Sequence, residues 1–467
     1  MSPKQASLVL LSLSGALGPL LALAQPAAPP LGPPSGPPPP MPTMAETRYD
    51  AALEIRDGKL VKGLRSARLD DTHASGFALA SSRAGYNGII ISGGHSAVTL
   101  KDTRISLKGV GRNDFLAIGA GVLVRDSAAT VIDHATIETA GAVASALAVA
   151  EGATLRVYDS RLAALGGPLP KGYVRHIGPG MMEPPAPLGL EGTARTVLAM
   201  SNARAYFYRT TIEANGWGAL STDAAGDRLY VEANDCILRV KRAGYATYAD
   251  FGAHVVLNRT KVESGAEAGI IAGEARIDFN HVTGKAGRNG VMIHSVMGNP
   301  QEVATLNLID TTLAAAGPVL LVKSANAAIT ISGGQLTSAG GVLLAVRRND
   351  DANATKTLGT RVPGVTLTLR ATSQQGEIAN SDDDRNVTVV MDHARLTGAL
   401  HNVTLKGDGA SRWTATGPSQ ITLDDAATLA VINAPAGVSI KATTHDPAIP
   451  AGTRILPSGG ELTVTPS

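Results

Sequence analysis

Short segments of alternating apolar and polar residues recur along the chain from about residue 85 onward. Each segment leads into a polar turn, then into Ile, Leu or Val, and then into Gly or Ala. Clear examples are TVIDHATIETAG (130–141), TLRVYDSRLAALG (154–166), HVVLNRTKVESGA (254–266) and TLNLIDTTLAAAG (305–317). The units recur roughly every 20–30 residues, a period typical of solenoid repeats.

Alternation with a period of two predicts β-strands that bury one side. Strands this short cannot build a core alone. If the chain coils so that each strand pairs with the previous turn, the backbone groups are satisfied and the apolar side chains stack inside. We therefore predict an all-β fold, a right-handed parallel β-helix of about 11–12 rungs. It is expected to span residues 45–445, followed by a C-terminal cap at 446–467.

The N-terminus predicts export. Lys4 precedes an apolar run from Leu8 to Leu23, followed by small residues, so residues 1–24 are predicted to be a signal peptide. A transmembrane anchor is the alternative, although the run is short and interrupted by Gly and Pro. Residues 25–44 are proline-rich and predicted to form an extended linker. We expect a secreted protein, extracellular or periplasmic, without a transmembrane segment after signal cleavage.

The net charge and the cysteine content limit the partners and the stabilising interactions that can be expected. A net charge of +2 over 467 residues gives no reason to expect a nucleic-acid partner. The single cysteine, Cys236, rules out an intramolecular disulfide, so the core must hold the fold. Cys236 is flanked by apolar residues and is predicted to be a buried thiol.

Aromatic residues make up only 3% of the chain, yet ten of them fall between Tyr158 and Phe251. The segment GYATYADFGAH (244–254) is the densest part of this cluster. One interpretation is a locally wider core, and the other is a ligand site placed on a scaffold that otherwise excludes such side chains.

Carboxylates accompany the aromatic cluster. Aligning the rungs on their turn residues places Trp217 over Tyr245 and brings Asp223, Asp250 and Glu274 to nearly the same place on successive turns. Strand spacing would then separate the carboxylates by about 4.8 Å, which raises the pKa of at least one of them. Such groups can share a proton, bind Ca²⁺ or act as acid and base on a sugar. The alternative is three solvated turn carboxylates.

These alignments define the predicted site. If the protein is an enzyme, Asp250 or Asp223 is predicted to act as acid or base, assisted by Tyr248 or His254. Tyr248 and His294 are expected in a column beside the carboxylates. The predicted ligand-binding residues are Tyr173, Arg175, His176, Trp217, Tyr245, Glu274 and His294. No metal ligand is predicted, and Ca²⁺ is a candidate cofactor that no motif supports.

The repeat is interrupted once. Residues 164–195 contain six prolines and two methionines, together with Tyr173, Arg175 and His176. Long loops in compact domains are commonly functional or disordered, and the apolar residues here argue against disorder. We expect this insertion to form a wall or lid over the aromatic cluster.

The repeat resembles the right-handed parallel β-helix of the pectin-lyase-like superfamily. Residues 402–432 also resemble the end of a pertactin-like autotransporter passenger, with Trp413 in the matching strand but no membrane barrel after it. Asp133-His134 and Asp382–Asp384 are superficially similar to segments of pectate lyases and polygalacturonases, but the remainder of those patterns is absent.

Two hypotheses follow. The first is a secreted protein that engages an extracellular glycan, above all an acidic polysaccharide, through the central rungs. If it is an enzyme, the resemblance implies a polysaccharide lyase or a glycoside hydrolase. The second is a non-catalytic, pertactin-like adhesin or structural surface protein. Fold alone does not decide between them.

Overall fold

The computed structural model describes residues 43–178, 180–223, 228–295, 301–350 and 363–467. The predicted signal peptide and nearly all of the predicted linker lie outside these residues. Regular structure in the described residues is almost entirely β, and successive strands pair in parallel with the strand one turn earlier. The prediction of an all-β parallel β-helix is therefore confirmed.

Each turn of the helix contributes strands to three faces, and the first face carries the predicted site. Along its strands, side chains that point outward alternate with apolar side chains that point into the core. Asp50–Arg56 begins this stack, and the first half of Leu400–Gly407 ends it. The strands between them are Tyr86–Ser92, Val122–Arg125, Leu147–Val149, Arg195–Met200, Trp217–Asp223, Gly244–Asp250, Glu267–Ala272, Val291–His294, Leu320–Lys323, Val342–Arg347 and Glu377–Asn380.

The second face is the longest stack. Its strands alternate buried and half-exposed positions, as one-sided burial requires. The second half of Leu400–Gly407 belongs to it. The other strands are His73–Ser75, Ala97–Lys101, Ala129–Asp133, Thr154–Tyr158, Arg204–Tyr208, Tyr230–Asn234, His254–Asn258, Arg276–Asn280, Val303–Ile309, Asn326–Ser332, Val365–Arg370, Val387–Asp392, Ser419–Leu423, Ser439–Thr444 and Glu461–Pro466.

The third face closes each turn with short strands. They are Ala78–Ser81, Arg104–Leu107, Thr136–Thr139, Arg161–Ala164, Thr211–Ala214, Ile237–Val240, Lys261–Ser264, Thr283–Ala286, Thr312–Ala315 and Gln335–Ser338, then Ser373–Gln375, Arg395–Thr397, Arg412–Thr414 and Ile432–Asn433. Two short 3₁₀ helices are described, Ala186–Leu188 and Ala426–Val431. Antiparallel strands at the two ends, Lys59–Lys62 and Gly452–Ile455, pair with Asp50–Arg56 and Glu461–Pro466.

One continuous apolar core fills the interior, built mainly from Val, Ile, Leu and Ala. The few large rings inside it are fully buried, including Phe207, Phe279 and Trp413. The Trp413 indole also donates a hydrogen bond to the Gly398 carbonyl at 2.9 Å. Cys236 is buried as predicted, and burial raises the pKa of its thiol to about 11. A thiol held protonated in this way is a packing residue.

From Ala97–Lys101 to Val387–Asp392, the corner after each second-face strand is occupied by a residue in the left-handed conformation. Along the helix axis these residues are Asp102, His134, Asp159, Arg209, Asp235, Arg259, His281, Asp310, Gly333, Ala371 and His393. Asp and His tolerate this conformation better than most residues. Neighbouring corners form bidentate ion pairs, Arg209 with Asp159 at 2.7 Å and Arg259 with Asp235 at 2.8 Å.

Candidate functional site

The first-face register differs by one residue from the alignment expected from the sequence. Trp217 lies opposite Gly244, and Gly218 lies opposite Tyr245. The reason is local: Trp217 has a left-handed backbone, and its amide is hydrogen-bonded to Glu191 of the insertion. This one-residue offset belongs to the pair of strands Trp217–Asp223 and Gly244–Asp250, since Gly269 lies opposite Val291 as the alignment expects.

The structure places two of the three predicted carboxylates together. Ser221 pairs with Tyr248, and Asp223 and Asp250 follow two residues later on their strands. Asp250 in turn pairs with Ala272, so Glu274 lies beyond the strand end, exposed and outside this column. Turn residues alone could not show that the strand ends before Glu274.

His294 also differs from its expected position. It pairs with Ala272 and therefore belongs to the column of Asp250, whereas the column of Tyr248 continues through Ile270 and Met292. His294 is only 3% exposed, and its Nε2 has no hydrogen-bond partner among the residues that the structure describes. Burial and the nearby Lys323 lower its pKa to about 4, which keeps the imidazole neutral.

Arg195 organises the first-face carboxylates. Its Nε and Nη2 donate to Asp114 at 3.0 and 2.7 Å, and its Nη1 donates to Asp223 at 2.5 Å. The side chains of Arg195 and Asp114 are 2% and 1% exposed, and the guanidinium also lies 5.0 Å from the Trp217 ring. This is a buried ion network, whose members depend strongly on one another.

Asp250 lies beside this network. Its carboxylate accepts a hydrogen bond from the Thr222 hydroxyl at 2.7 Å. Burial and the charge of Asp223 raise the pKa of Asp250 to about 7. The Tyr245 hydroxyl lies 3.0 Å from Ser221 Oγ, and burial raises the Tyr245 pKa to about 12. Ionisable groups with pKa values shifted in this way also occur at functional sites, but a ligand must be able to reach them.

The insertion covers this surface. Residues 165–194 connect Arg161–Ala164 to Arg195–Met200, and their apolar side chains pack on Trp217, Tyr245, Ile270 and Met292. The contacting side chains are Met181, Met182, Leu188 and Leu190. We use the name covered cluster for Trp217, Tyr245 and Tyr248, which pack in one apolar cluster with the insertion, together with the adjoining charged residues Asp114, Arg195, Asp223 and Asp250.

Ion pairs and hydrogen bonds fasten the insertion. Arg288 donates to the Leu188 carbonyl at 2.7 Å and also pairs with the fully buried Glu267. Tyr173 accepts a hydrogen bond from the Met182 amide, and Arg175 donates to the Pro184 carbonyl.

The His176 ring lies against Tyr173, and its Nδ1 is 3.1 Å from the Val174 carbonyl. The described contacts of Tyr173, Arg175 and His176 are therefore with the insertion itself.

The second face is open and carries a different set of side chains. We define the open strip as the outward residues of Thr154–Tyr158, Arg204–Tyr208, Tyr230–Asn234, His254–Asn258 and Arg276–Asn280. Strand register places these residues in columns, one of which runs Thr154, Arg204, Tyr230, His254 and Arg276. The next column runs Arg156, Tyr206, Glu232, Val256 and Asp278.

Aromatic rings on the open strip pack against one another. Tyr158 and Tyr208 stack with centroids 4.9 Å apart, and Arg156 lies over Tyr206 at 5.4 Å. Because Tyr158 and Tyr208 stack face to face, they turn their edges outward. The pair therefore presents its hydroxyl groups rather than a ring face to a ligand.

Asp278 is the most heavily bonded carboxylate of the strip. It accepts hydrogen bonds from His254 Nε2 at 2.6 Å, Arg276 Nε at 2.9 Å and Asn307 Nδ2 at 2.7 Å. Burial would raise the pKa of Asp278, but these bonds outweigh burial and lower it to about 2. His254, expected beside the first-face carboxylates, thus belongs to the open strip.

A second polar network begins one rung before His254 and two rungs before Asp278. The Tyr230 hydroxyl donates to Glu232 at 2.8 Å, and Asn234 donates to the other oxygen of Glu232 at 2.9 Å. Asn258 donates to Asn234 and Asn280 donates to Asn258, each at 2.9 Å. The strip therefore presents fixed donors and acceptors in register along the helix axis.

Sequence reasoning missed most of this strip. The predicted site residues include only His254 from the strip; Tyr206 and Tyr230 belong to the aromatic cluster noted in the sequence, and Glu232 and Asp278 were not singled out. A usable signal was present, because alternate positions of RAYFY, YVEAN, HVVLN and RIDFN are polar or aromatic at the same offsets. Reading these strands as outward columns would have assembled the strip.

Within the described part of the chain, two sets of side chains have a geometry that a metal ion could use: Asp133, His134 and Asp159, and Asp392, His393 and Asp408. Both lie at corners and include exposed histidines. Asp159 is already engaged by Arg209, and Ca²⁺ prefers a shell of oxygen atoms. These mixed sets do not fit the Ca²⁺ site considered from the sequence.

No protein-family model and no curated protein matches this chain. The covered cluster and the open strip are therefore the features that bear on its function. Among the described residues, no helix has the length and apolar character needed to span a bilayer.

Proposed function

We propose that the protein binds an acidic polysaccharide along the open strip. The observation that carries this proposal is the alignment of Arg156, Arg204 and Arg276 with uncharged hydrogen-bonding groups on an uncovered face. The strip crosses five successive rungs, which is about 19 Å at strand spacing. A linear polymer can follow such a surface, whereas a small metabolite needs a concave pocket.

The chemistry of the strip supports a carboxylated or sulfated glycan. The guanidinium groups are suited to anionic oxygens, and Tyr and Asn side chains are suited to sugar hydroxyls. The two carboxylates, Glu232 and Asp278, are occupied by internal donors, which limits their repulsion of an anionic ligand. The predicted signal peptide and the resemblance to pectin-lyase-like proteins agree with an extracellular polysaccharide as the ligand.

A pertactin-like adhesin is the second candidate. The buried Trp413 in the C-terminal strands favours it, since the resemblance rests on that residue. An adhesin that binds glycans would use the same strip without cleaving its ligand. The two candidates therefore differ in turnover rather than in the location of binding.

The proposal is tested by equilibrium binding of the purified protein to polygalacturonate, alginate and heparin, with dextran as the neutral comparison. Arg204→Ala should weaken binding to the acidic polymer at least fivefold, because it removes an exposed cation from the centre of the strip. Lys285→Ala is the matched control, since it removes an exposed positive charge from the third face. Equal weakening by both variants, or no binding to any acidic polymer, would contradict the proposal.

A further inference from the structure

We propose that a cleft at the base of the insertion binds a phosphate monoester. The cleft has a volume of about 470 Å³ and lies where residues 165–167 leave the third face and residues 192–194 return to the first. Ligand pockets in proteins commonly have volumes of this order. Lys241 and Arg242 line the cleft, and none of its described lining residues is acidic. None of them belongs to the open strip either, so the inference does not depend on the proposed function.

Hydrogen bonds fix the wall that the insertion contributes to the cleft. The Gly167 amide donates to Thr193 Oγ1 at 3.0 Å, and the Thr193 hydroxyl donates to the Gly167 carbonyl at 2.8 Å. These two bonds join the two ends of the insertion. Asn215 Nδ2 also donates to the Leu165 carbonyl at 2.9 Å, which ties this wall to the next rung. The shape of the cleft is therefore set by bonded backbone.

Close packing explains why part of the cleft is lined by residues without side chains. A Cβ at Gly192 would lie 2.6 Å from the Gly216 carbonyl carbon, and a Cβ at Gly166 would lie 2.8 Å from Thr193 Oγ1. Gly166 and Gly192 also have φ angles of +66° and +118°, which are strained for other residues. Backbone groups therefore line this part of the cleft.

Lys241 and Arg242 are cations that lack a described partner. Both are exposed, and neither side chain makes an ion pair or a hydrogen bond with any residue that the structure describes. Their backbone is fixed, because their amides donate to the Ala214 and Asn215 carbonyls at 3.1 and 2.9 Å. Two neighbouring positive charges repel each other, and an anion bound between them removes this repulsion.

The carboxylates on the neighbouring strands of the third face are shared among other cations. Glu213 pairs with Arg161 and Arg239. Glu263 pairs with Arg239 and Lys261. This network leaves no carboxylate for the two cations of the cleft, and an external anion is the partner that the cleft can accept.

The charge of the cleft favours a phosphate monoester over a carboxylate or a sulfate ester, each of which carries one negative charge. A phosphate monoester carries about 1.5 to 2 negative charges at pH 7 and has three acceptor oxygens. Arg242 is suited to two of these oxygens at once, and Lys241 adds a point charge. Asn215 Oδ1 has no partner in the described residues and can accept a hydrogen bond from a ligand hydroxyl. Two sources offer such a phosphate, a soluble sugar phosphate and a phosphatidate lipid.

The test is isothermal titration calorimetry of the purified protein with glucose 6-phosphate, with glucuronate and glucose as the monoanionic and neutral comparisons. We expect glucose 6-phosphate to bind at least about fivefold more tightly than glucuronate, because it presents more charge to the two cations. Lys241→Ala and Arg242→Ala should each weaken binding at least about fivefold, the scale of one hydrogen bond to a charged group. Lys285→Ala removes an exposed cation outside the cleft and should change binding by less than about twofold. Circular dichroism of each variant checks folding.

A second arm identifies the source of the phosphate by sedimenting the protein with phosphatidylcholine vesicles that contain or lack phosphatidate. Binding of glucose 6-phosphate that is lost in both cleft variants assigns a soluble ligand. Sedimentation only with phosphatidate, lost in the same variants, assigns a lipid. Binding of neither probe, equal weakening by Lys285→Ala, or equal affinity for glucuronate would overturn the inference. Binding of acidic polymers should stay within about twofold in both cleft variants, so the failure of either proposal can be told from the failure of the other.

Discussion

The first and second faces share one scaffold and one strand spacing, yet they differ in where their ion networks lie, buried on the first face and at the surface on the second. On the first face Arg195 and Asp114 are buried together, and Arg195 also pairs with the partly exposed Asp223. On the second face, ion pairs and amide ladders lie at the surface. The comparison shows that a β-helix can place either a sealed ion network or an open recognition surface on neighbouring sides of the same rungs.

Asp250 and Asp278 make the contrast sharp. They are 5% and 6% exposed, so their burial is nearly equal. The pKa of Asp250 is raised to about 7, whereas that of Asp278 is lowered to about 2. Asp250 has one described side-chain donor and a neighbouring carboxylate, while Asp278 has three donors. Burial raises the pKa of both carboxyl groups; at Asp250 the charge of Asp223 adds to this effect, whereas at Asp278 the three donors outweigh it.

Removing the central cation should distinguish the two faces most strongly. Arg195→Met leaves Asp114 buried without its partner and is expected to lower the free energy of unfolding by about 3–5 kcal/mol. Arg204→Met, the matched change on the open strip, should alter it by less than about 0.5 kcal/mol. Urea unfolding followed by circular dichroism measures both. Similar losses in the two variants would mean that the covered cluster is not a sealed network.

A smaller effect is expected from the packing of the covered cluster. A Cβ at Gly218 would overlap the Tyr245 ring, so Gly218→Ala should lower stability by about 1–3 kcal/mol. At Gly269 on a later rung, a Cβ comes no closer than 3.4 Å, to Phe279. Gly269→Ala is therefore expected to cost less, and a reversed order in thermal unfolding would contradict the described position of Tyr245.

The two carboxylates should give opposite pH dependences. The pKa of Asp250 rises from 3.8 to about 7 on folding. Asp250 therefore contributes to the free energy of unfolding at low pH, and this contribution is lost as pH rises from 3.8 to about 7. The slope is at most about 1.4 kcal/mol per pH unit. Asp278 contributes above its unfolded pKa of 3.8, and this contribution is lost as pH falls toward 2.

Urea midpoints measured across this range in Asp250→Asn and Asp278→Asn test these signs. The first variant should flatten the decline between pH 4 and pH 7, and the second should flatten the loss below pH 4. A decline that persists unchanged in Asp250→Asn would assign it to another group.

The fold could be predicted because the core repeats. Period-two alternation in segments such as HVVLN and TLNLI is a direct consequence of one-sided burial, and each rung repeats it. The site was harder, because its geometry depends on single-residue register. The left-handed Trp217 shifted the expected pairing by one position, and the end of the strand at Ala272 removed Glu274 from its column.

The composition reveals the aromatic cluster but not the surface on which each ring lies. Trp217, Tyr245 and Tyr248 lie beneath the insertion, whereas Tyr206 and Tyr230 lie on the open strip. Residues close in sequence face different sides because the chain turns between Asp250 and His254. The segment GYATYADFGAH therefore joins the two surfaces and belongs to neither alone.

The left-handed corners have a consequence for how the chain finds its order. In a solenoid the apolar interiors of neighbouring rungs look much alike, so skipping a rung costs the core little. The corner charges differ in this respect: Asp159, Arg209, Asp235 and Arg259 alternate in sign. A skipped rung would set Asp235 on Asp159, or Arg259 on Arg209, with like charges at strand distance. Like charges at neighbouring corners would therefore disfavour a coil in which one rung is skipped.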